Sequence, residues 1–191
     1  MKRIFINAKT QALCESISSA LEDLGCDVVC CFDDEYAAEA DLSGFDVVIV
    51  STPLRTEFGL NYIAGVHNRT KAPIVVLAKT DIADDVQNRV RFTGAFVLPR
   101  PFNKASLVQT VKMAVLAGEN MQRLQAENTK LSQKLIDDRI INRAKCCLIQ
   151  YLNFTEEQAQ EHIRRLAMDS RLTKKDVAED ILRTYGGMTG M

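Results

Sequence analysis

Two helix starts near the C-terminus constrain the fold of this chain most strongly, because each is marked by two independent signals. Residues Thr155 to Gln158 (TEEQ) form a capping box. In this motif the threonine side chain accepts a hydrogen bond from the backbone amide of Gln158, and the glutamine side chain accepts one from the backbone amide of Thr155. Residues Thr173 to Asp176 (TKKD) repeat the device, and a carboxylate there also suits the positive helix N-terminus. Two helices are therefore predicted to begin at these threonines.

Apolar residues around the two caps follow helical spacing and predict three short helices. An apolar residue precedes each cap, so we expect Phe154 to pack onto Ala159 and Leu172 onto Val177. The positions that share a face recur every three or four residues. They are Ile141, Ala144, Leu148 and Leu152 in the first helix, Ala159, Ile163, Leu166 and Ala167 in the second, and Val177, Ala178 and Ile181 in the third.

This segment resembles the ANTAR domain, the RNA-binding module of bacterial antiterminator response regulators. The matching residues are spread over all three helices: Arg139, Ile141, Ala144, Lys145, Leu148, Ala159, Arg164 to Met168, Leu172 and Asp176 to Ala178. Cys146 and Gln160 depart from the pattern, since the family often has glycine at the first position and a bulky residue at the second. Neither departure touches the caps or the apolar pattern.

Length and charge allow one ordinary domain and a small additional module. The chain has 191 residues, of which 47% are hydrophobic, so a buried core is expected. The formal net charge is -1, yet residues 139–191 carry 9 basic and 7 acidic residues, against 12 and 14 in residues 1–118. This weak bias is consistent with a nucleic-acid surface near the C-terminus. We expect domains at 1–118 and 139–191 with a connector at 119–138.

The six cysteines and two histidines give no sign of a metal site, because no CxxC spacing occurs. Free cysteines prefer interiors, so these thiols are expected to be reduced and mostly buried. No basic and apolar leader precedes the first strand, and no run of about 18 apolar residues occurs. We expect a cytoplasmic protein that uses no cofactor, binds no metal and contacts no membrane.

Strand and helix patterns alternate through the N-terminal domain. Predicted strands are Arg3 to Ile6, Asp27 to Phe32, Asp46 to Val50, Ile74 to Leu77 and Ala95 to Leu98. Helices are predicted near residues 13–24, Glu35 to Ala40, Phe58 to Asn68, Ile82 to Phe92 and from Lys104 onward. This alternation predicts an α/β fold with a five-stranded, doubly wound parallel sheet. The functional crevice of such a sheet lies at the carboxyl ends of its strands.

Up to about residue 115, the pattern resembles the receiver domain of two-component response regulators. That family has an acidic pair after the first strand, an aspartate at the end of the third, Thr or Ser after the fourth and Lys-Pro after the fifth. This chain has other residues at those places: Asn7, Ala8, Ser51, Ala78 and Arg100-Pro101. The resemblance therefore implies the receiver fold with a degenerate phosphorylation site.

Residue chemistry leads to the same expectation. Phosphoryl transfer needs a Mg²⁺ site built from hard oxygens and an ionised nucleophile, and Asn7, Ala8 and Ser51 supply no carboxylate. Asp46 begins a strand and so belongs at the opposite edge of the sheet. Arg100 is expected to donate to Asn7, Ser51 or a loop carbonyl, the alternative being a bidentate contact with a carboxylate or phosphate. The resemblance also implies a cis bond before Pro101.

The connector has a heptad pattern that predicts a short coiled coil. Position a is occupied by Met121, Asn128 and Leu135, and position d by Leu124 and Leu131. Asparagine at a prefers to face its own copy across a parallel two-stranded seam, so a homodimer is expected. The alternative is that the leucines pack back on their own domain.

The resemblance implies that a dimer binds paired stem-loops in a nascent mRNA leader and prevents formation of a terminator hairpin. Duplex RNA hides its bases, so the unpaired loop bases and the backbone would be read. Candidate contacts are Arg139, Arg143, Lys145, Arg164, Arg165, Lys174 and Lys175, with Tyr151 or Tyr185 for stacking. For each basic residue the alternative is a solvated surface.

A DNA-binding regulator with a helix-turn-helix is the second candidate. Against it, the third helix carries Asp176, Glu179 and Asp180, which would repel phosphates in a major groove. An enzyme is not expected, because the carboxylates of the phosphorylation site are missing. Without phosphorylation, control is expected to come from a regulatory protein partner or a ligand.

Overall fold

The computed structural model describes residues 1–54 and 59–185, except for the side chains of Asp34 and Glu35. The chain divides into two compact units, Met1–Arg123 and Leu124–Met191, which we call unit 1 and unit 2. Each unit has its own buried core, so each is described separately.

Unit 1 contains a five-stranded parallel sheet with the strand order β2-β1-β3-β4-β5. The strands are β1 (Arg3–Asn7), β2 (Asp27–Cys31), β3 (Val47–Ser51), β4 (Ile74–Lys79) and β5 (Phe96–Arg100). Each falls within two residues of its predicted bounds. The predicted fold class, a doubly wound α/β sheet, is confirmed.

Four helices connect these strands: α1 (Gln11–Leu21), α2 (Asp34–Glu39), α3 (Leu60–Arg69) and α4 (Ala83–Val90). The predicted start of the third at Phe58 lies outside the described residues. A 3₁₀ turn follows α1 and closes at Gly25, whose φ of 58° is in the left-handed region. That conformation favours glycine and explains why the helical pattern ends there.

Two apolar layers cover the two faces of the sheet. Cys14, Ile17 and Leu21 of α1 pack on one face together with residues of a later helix, α5 (Lys104–Leu152). Helices α2, α3 and α4 cover the other face, where Phe5, Val48 and Val76 are buried. Both faces of β3 and β4 are therefore covered, which explains their uninterrupted apolar sequences.

The strand order reverses between β1 and β3. Asn7, the last residue of β1, pairs with Val50 of β3, and Ser51 pairs with Leu77 of β4. This reversal is where a doubly wound sheet forms a crevice beyond its strand ends. The substituted positions of the degenerate phosphorylation site therefore lie at the expected edge of the sheet.

Helix α5 is one continuous helix of 49 residues, and it ends only at Leu152. The first of the three predicted helices of the C-terminal segment is the C-terminal part of this long helix. Gly118 does not interrupt the helix. A Cβ at this position would lie 2.8 Å from Cδ of Pro73, so glycine permits the close packing of α5 inside unit 1.

Unit 2 adds α6 (Glu156–Ser170) and α7 (Lys174–Tyr185) to the end of α5. Its buried core contains Ala144, Leu148, Ala159, Ile163, Ala167, Val177, Ala178 and Ile181. Leu152 was predicted on this face but is 39% exposed, because it is the last residue of α5. Phe154 packs against this core as predicted.

Leu172, which is predicted to pack onto Val177, is 47% exposed. Its amide donates to the carbonyl of Ala167 at 3.1 Å, after Arg171 has taken a left-handed φ of 55°. The amide of Leu172 therefore closes the C-terminal end of α6.

The prediction of mostly buried cysteines was wrong for the set as a whole. None of the six forms a disulfide, but only Cys14 and Cys31 are buried, and Cys30 and Cys146 are exposed. Cys30 lies on the edge strand β2, and Cys146 lies on the outer face of α5, which explains their access to solvent. Burial raises the pKa of the Cys14 thiol to about 12.

Candidate functional site

The two predicted caps fix the starts of α6 and α7 and so position the basic residues of unit 2. Thr155 Oγ1 accepts the Gln158 amide at 3.2 Å, and Gln158 Oε1 accepts the Thr155 amide at 2.9 Å. Thr173 Oγ1 accepts the Asp176 amide, and Asp176 Oδ2 accepts the Thr173 amide, both at 3.1 Å. Hydrogen bonds from the Thr173 side chain and amide lower the pKa of the Asp176 carboxyl.

Arg139 and Arg143 are one helical turn apart on the exposed side of α5. They lie away from the buried stripe of Ala144 and Leu148, and both side chains are exposed. Neither forms an ion pair with any residue in the part of the chain that the structure describes. Both guanidinium groups can therefore contact a polyanion without first losing an internal partner.

Three of the residues predicted to contact RNA form ion pairs with carboxylates. Lys145 Nζ lies 2.5 Å from Glu156 Oε1, with the lysine side chain only 13% exposed. Arg164 donates to both carboxylate oxygens of Glu161, at 2.6 and 2.7 Å. This bidentate contact lowers the pKa of Glu161, chiefly through the Arg164 side-chain hydrogen bonds.

Lys175 is the third of these residues. Its Nζ lies 3.9 Å from Asp137 of α5 and 3.7 Å from Glu179 of α7, so its charge is shared between two carboxylates. This ion pair links the first turn of α7 to α5. Sequence spacing alone could not reveal this, because Asp137 and Lys175 are far apart in the chain.

Arg165 and Lys174 are exposed and form no ion pair within residues 1–54 and 59–185. Arg165 lines a shallow depression of about 400 Å³ that also contains Phe154, Gln158 and His162. The rings of Phe154 and His162 meet edge to face, with centroids 5.4 Å apart. His162 was not among the predicted site residues, since a lone histidine has no characteristic spacing.

The two tyrosines proposed for base stacking stack on each other. The ring centroids of Tyr151 and Tyr185 are 5.9 Å apart with an interplanar angle of 22°. Both residues are half-buried, and Tyr185 packs against the core of unit 2. A nucleobase could therefore stack on the face of each ring that does not contact the other tyrosine.

The five positions of the degenerate phosphorylation site lie at strand ends of unit 1, where four of them are fully enclosed. Asn7, Ala8 and Ala78 are 0% exposed and Ser51 is 1% exposed. Arg100, the last residue of β5, is half-buried. None of the five carries a carboxylate.

Arg100 crosses toward the end of β3, where Nη2 donates to the carbonyl oxygen of Thr52. The prediction of a hydrogen bond to a loop carbonyl is therefore confirmed. Burial of the guanidinium lowers the pKa of Arg100. The Arg100-Pro101 peptide bond is cis, as expected, and so is Thr52-Pro53.

Asp33 follows the carboxyl end of β2, and Asp81, Asp84 and Asp85 follow that of β4, but no carboxylate occupies any of the five positions. Asp46 accepts the amide of Arg3 and pairs with Lys2 at 3.0 Å, which places it at the amino ends of β1 and β3. Asp84 and Asp85 lie in the first turn of α4. Within the described residues, no group of three or more His, Cys, Asp or Glu residues is arranged to hold a metal ion.

The predicted coiled-coil residues form an exposed stripe on α5. Met121, Leu124, Leu131 and Leu135 are 56%, 55%, 64% and 62% exposed. Asn128 is also exposed, and its Oδ1 accepts a hydrogen bond from Ser132 at 3.4 Å. The alternative, in which these leucines pack back on their own domain, is not what the described structure contains.

No helix among the described residues is long and apolar enough to span a membrane.

Comparison with known proteins identifies relatives over most of the chain. Residues 129–182 match the family model of the ANTAR domain. The transcriptional regulatory protein PdtaR of Mycobacterium tuberculosis, from strains CDC 1551 and H37Rv, is 34% identical over 156 residues, covering 81% of this chain and 76% of that protein.

Solved structures resemble the fold of unit 1. A two-component response regulator from Clostridium difficile gives a TM-score of 0.54 at 20% identity, covering 60% of this chain and 96% of that one. The chemotaxis protein CheY4 of Vibrio cholerae gives 0.52 at 24% identity, covering 60% and 98%. At these identities the likeness concerns the fold alone.

Proposed function

Because the chain belongs to the family of ANTAR-domain response regulators that act in transcription, we propose that it is a cytoplasmic antiterminator. It binds paired stem-loops in a nascent mRNA leader as a homodimer, and its control does not involve phosphorylation. The observation that supports RNA binding most strongly is the pair Arg139 and Arg143, both exposed and free of ion pairs in the described structure.

Geometry favours these two residues over the other candidates. Two exposed arginines one helical turn apart can each contact a phosphate of the RNA backbone. Each such contact contributes to binding by releasing counterions. Arg165 and Lys174 can add contacts for the same reason. Lys145, Arg164 and Lys175 would first have to leave Glu156, Glu161 and Asp137, so we assign them a supporting role.

Hairpin RNA suits this surface better than duplex DNA does. The deep, narrow major groove of A-form RNA does not admit a helix, so such a module reads unpaired loop bases and clamps the backbone. A major-groove reader would present α7, and that helix carries three acidic residues, Asp176, Glu179 and Asp180. Their charges oppose insertion between phosphates.

Association between two copies follows from the stripe of Met121, Leu124, Leu131 and Leu135. These four large apolar side chains lie at heptad spacing on one helix, and each is more than half exposed. A second copy of α5 has the same stripe and would bury them. Asn128 in the middle of this stripe favours a parallel pair. The dimer would then supply one unit 2 for each stem-loop.

Independence from phosphorylation rests on the enclosed positions Asn7, Ala8 and Ser51. Mg²⁺ prefers carboxylate and water oxygens, and phosphoryl transfer depends on such an ion together with a nucleophile. An amide, a methyl group and a buried hydroxyl provide neither. The family resemblance points the same way, since the usual acceptor aspartate is Ser51 here.

Filter binding to short RNA hairpins tests the proposal, with duplex DNA of equal length as the competitor. We expect hairpin binding that weakens steeply with salt, and that is lost in the double variant Arg139→Ala/Arg143→Ala. Arg183→Ala is the matched control, because Arg183 is also exposed on unit 2 but lies 3.4 Å from Asp180. Tighter binding to duplex DNA would contradict the proposal in favour of a DNA-binding regulator.

A further inference from the structure

A shallow depression on the surface of α6 brings aromatic, carboxylate, amide and guanidinium groups together. It has a volume of about 400 Å³ and is lined by Phe154, Glu157, Gln158, Glu161, His162 and Arg165. All six residues belong to α6 or to the turn before it, so the depression lies within unit 2, and we call it the α6 depression. Ligand sites typically measure about 300–1,000 Å³, so it has room for a single small group.

Two aromatic rings in the α6 depression offer a surface on which a planar group can stack. The centroids of Phe154 and His162 are 5.4 Å apart, and the ring planes meet at 73°. Each ring in such an edge-to-face pair keeps one face that its partner does not cover. Both residues are half-buried, and Phe154 also packs against the core of unit 2, which holds it in place. Unpaired RNA bases stack on aromatic side chains of this kind.

One cation and one carboxylate of the α6 depression have no charged partner. Arg165 and Glu157 are exposed, and neither forms an ion pair with any residue that the structure describes. Glu161 differs, because Arg164 already donates to both of its oxygens, at 2.6 and 2.7 Å. A simple anion would suit Arg165 but would be repelled by Glu157. The matching ligand therefore carries N–H or O–H donors as well as a negative charge.

The spacing of these two charges corresponds to one nucleotide. Glu157 and Arg165 are eight residues apart in α6, which is about 12 Å along the helix axis, and His162 lies between them. That separation is comparable to the length of a nucleotide from the Watson–Crick edge of its base to its phosphate. A nucleotide that stacks on His162 can therefore reach Glu157 with its base and Arg165 with its phosphate.

The carboxylate of Glu157 selects guanine among the four bases. The Watson–Crick edge of guanine has two adjacent donors, N1–H and N2–H, which match the two oxygens of a carboxylate. Adenine, cytosine and uracil each place an acceptor beside their donor, so a lone pair would face the carboxylate. Gln158 agrees with this choice, because its Oε1 accepts the Thr155 amide at 2.9 Å and its N–H groups remain for the guanine O6.

We propose that the α6 depression binds one unpaired guanine nucleotide of the RNA loop. The base stacks against Phe154 and His162, its N1–H and N2–H groups donate to Glu157, and Arg165 contacts its phosphate. This inference rests on the proposed RNA binding and adds the selection of a base. The exposed arginines of α5 do not supply that selection, because phosphate contacts carry no sequence information.

Nuclear magnetic resonance of the full chain tests the α6 depression with free GMP and AMP, at constant pH and ionic strength. The chain has two histidines, so ring-labelled histidine reports on His162, with His67 of α3 as the internal reference. GMP should shift the His162 signals saturably and leave those of His67 in place. It should bind about 5- to 150-fold more tightly than AMP, the range for one bidentate base contact. Unmoved His162 signals, or equal affinity for both nucleotides, would overturn the inference.

Filter binding then tests the same contact in RNA, with a hairpin that has one guanosine in its loop and the same hairpin with inosine there. Inosine lacks only the N2 amino group, so the unmodified protein should prefer guanosine. Glu157→Gln should remove this preference. Glu161→Gln is the matched control and should keep it, because Arg164 already holds that carboxylate. Loss of the preference in both variants, or in neither, would contradict the assignment to Glu157.

The two proposals fail in different ways. Equal binding of both hairpins by the unmodified protein would overturn this inference and leave the proposed function intact. Binding of neither hairpin would overturn the proposed function, and the GMP titration would still decide whether the α6 depression binds guanine.

Discussion

Replacing Leu131 by aspartate should separate the dimer into monomers. Leu131 is 64% exposed on the described chain, and full burial of a leucine side chain contributes about 1.5–3 kcal/mol. Burying the exposed part is then worth about 1–2 kcal/mol per copy, or about 2–4 kcal/mol for the two copies in a seam. Loss of that contribution raises the dissociation constant about 30- to 1000-fold.

Multi-angle light scattering at micromolar concentration measures the outcome. The unmodified protein should elute at twice the chain mass of 21.3 kDa, and Leu131→Asp at that mass. Ile136→Asp is the matched control, because Ile136 is 49% exposed on the same helix but lies outside positions a and d. A monomer for the unmodified protein, or equal dissociation of both variants, would refute the reasoning.

Three further predictions concern RNA contact, phosphorylation and acid stability. Arg139→Ala should reduce the slope of log affinity against log salt by about one phosphate contact, measured by hairpin titration at several salt concentrations, and an unchanged slope would exclude it from the interface. Acetyl phosphate with Mg²⁺ should leave the mass and melting temperature unchanged, and a magnesium-dependent shift in either would contradict the loss of phosphorylation. Asp176→Asn should lower the melting temperature at pH 7 but have little effect at pH 2, because the pKa of Asp176 is lowered in the folded chain and its stabilisation is lost as the pH falls through that value. Equal effects at both pH values would mean that the charge of Asp176 contributes nothing.

Most of the fold could be predicted because local signals agreed with one another. The apolar runs at Val47–Ser51 and Ile74–Lys79 have the length and composition of strands buried on both faces, and the structure places them at the centre of the sheet. The caps at Thr155 and Thr173 depend only on residues three positions apart. Such short-range patterns can be identified from a few neighbouring residues, without knowledge of the tertiary structure.

Long-range packing could not be predicted in the same way. Gly118 could have ended a helix, but its approach to Pro73 makes it part of an unbroken α5. The amide of Leu172 closes α6 because Arg171 adopts a left-handed backbone conformation. Both outcomes depend on neighbours that are distant in the chain or on a backbone conformation that composition does not specify.

The sequence also did not indicate which charged side chains of the candidate site form ion pairs with one another. The sequence ranks Arg143 and Arg164 alike as basic residues on exposed faces. Only the structure distinguishes them, because Glu161 holds Arg164 in a bidentate contact.

Binding of one RNA that contains two stem-loops, compared with an RNA that contains either one alone, tests the central claim most directly. At fixed salt, the dimer should bind the paired stem-loops about 10²- to 10⁴-fold more tightly, because the second contact becomes intramolecular. Leu131→Asp should abolish that advantage while retaining weak binding to a single stem-loop. Equal affinity of the unmodified protein for the single and paired stem-loops would contradict a dimer that holds one stem-loop in each unit 2.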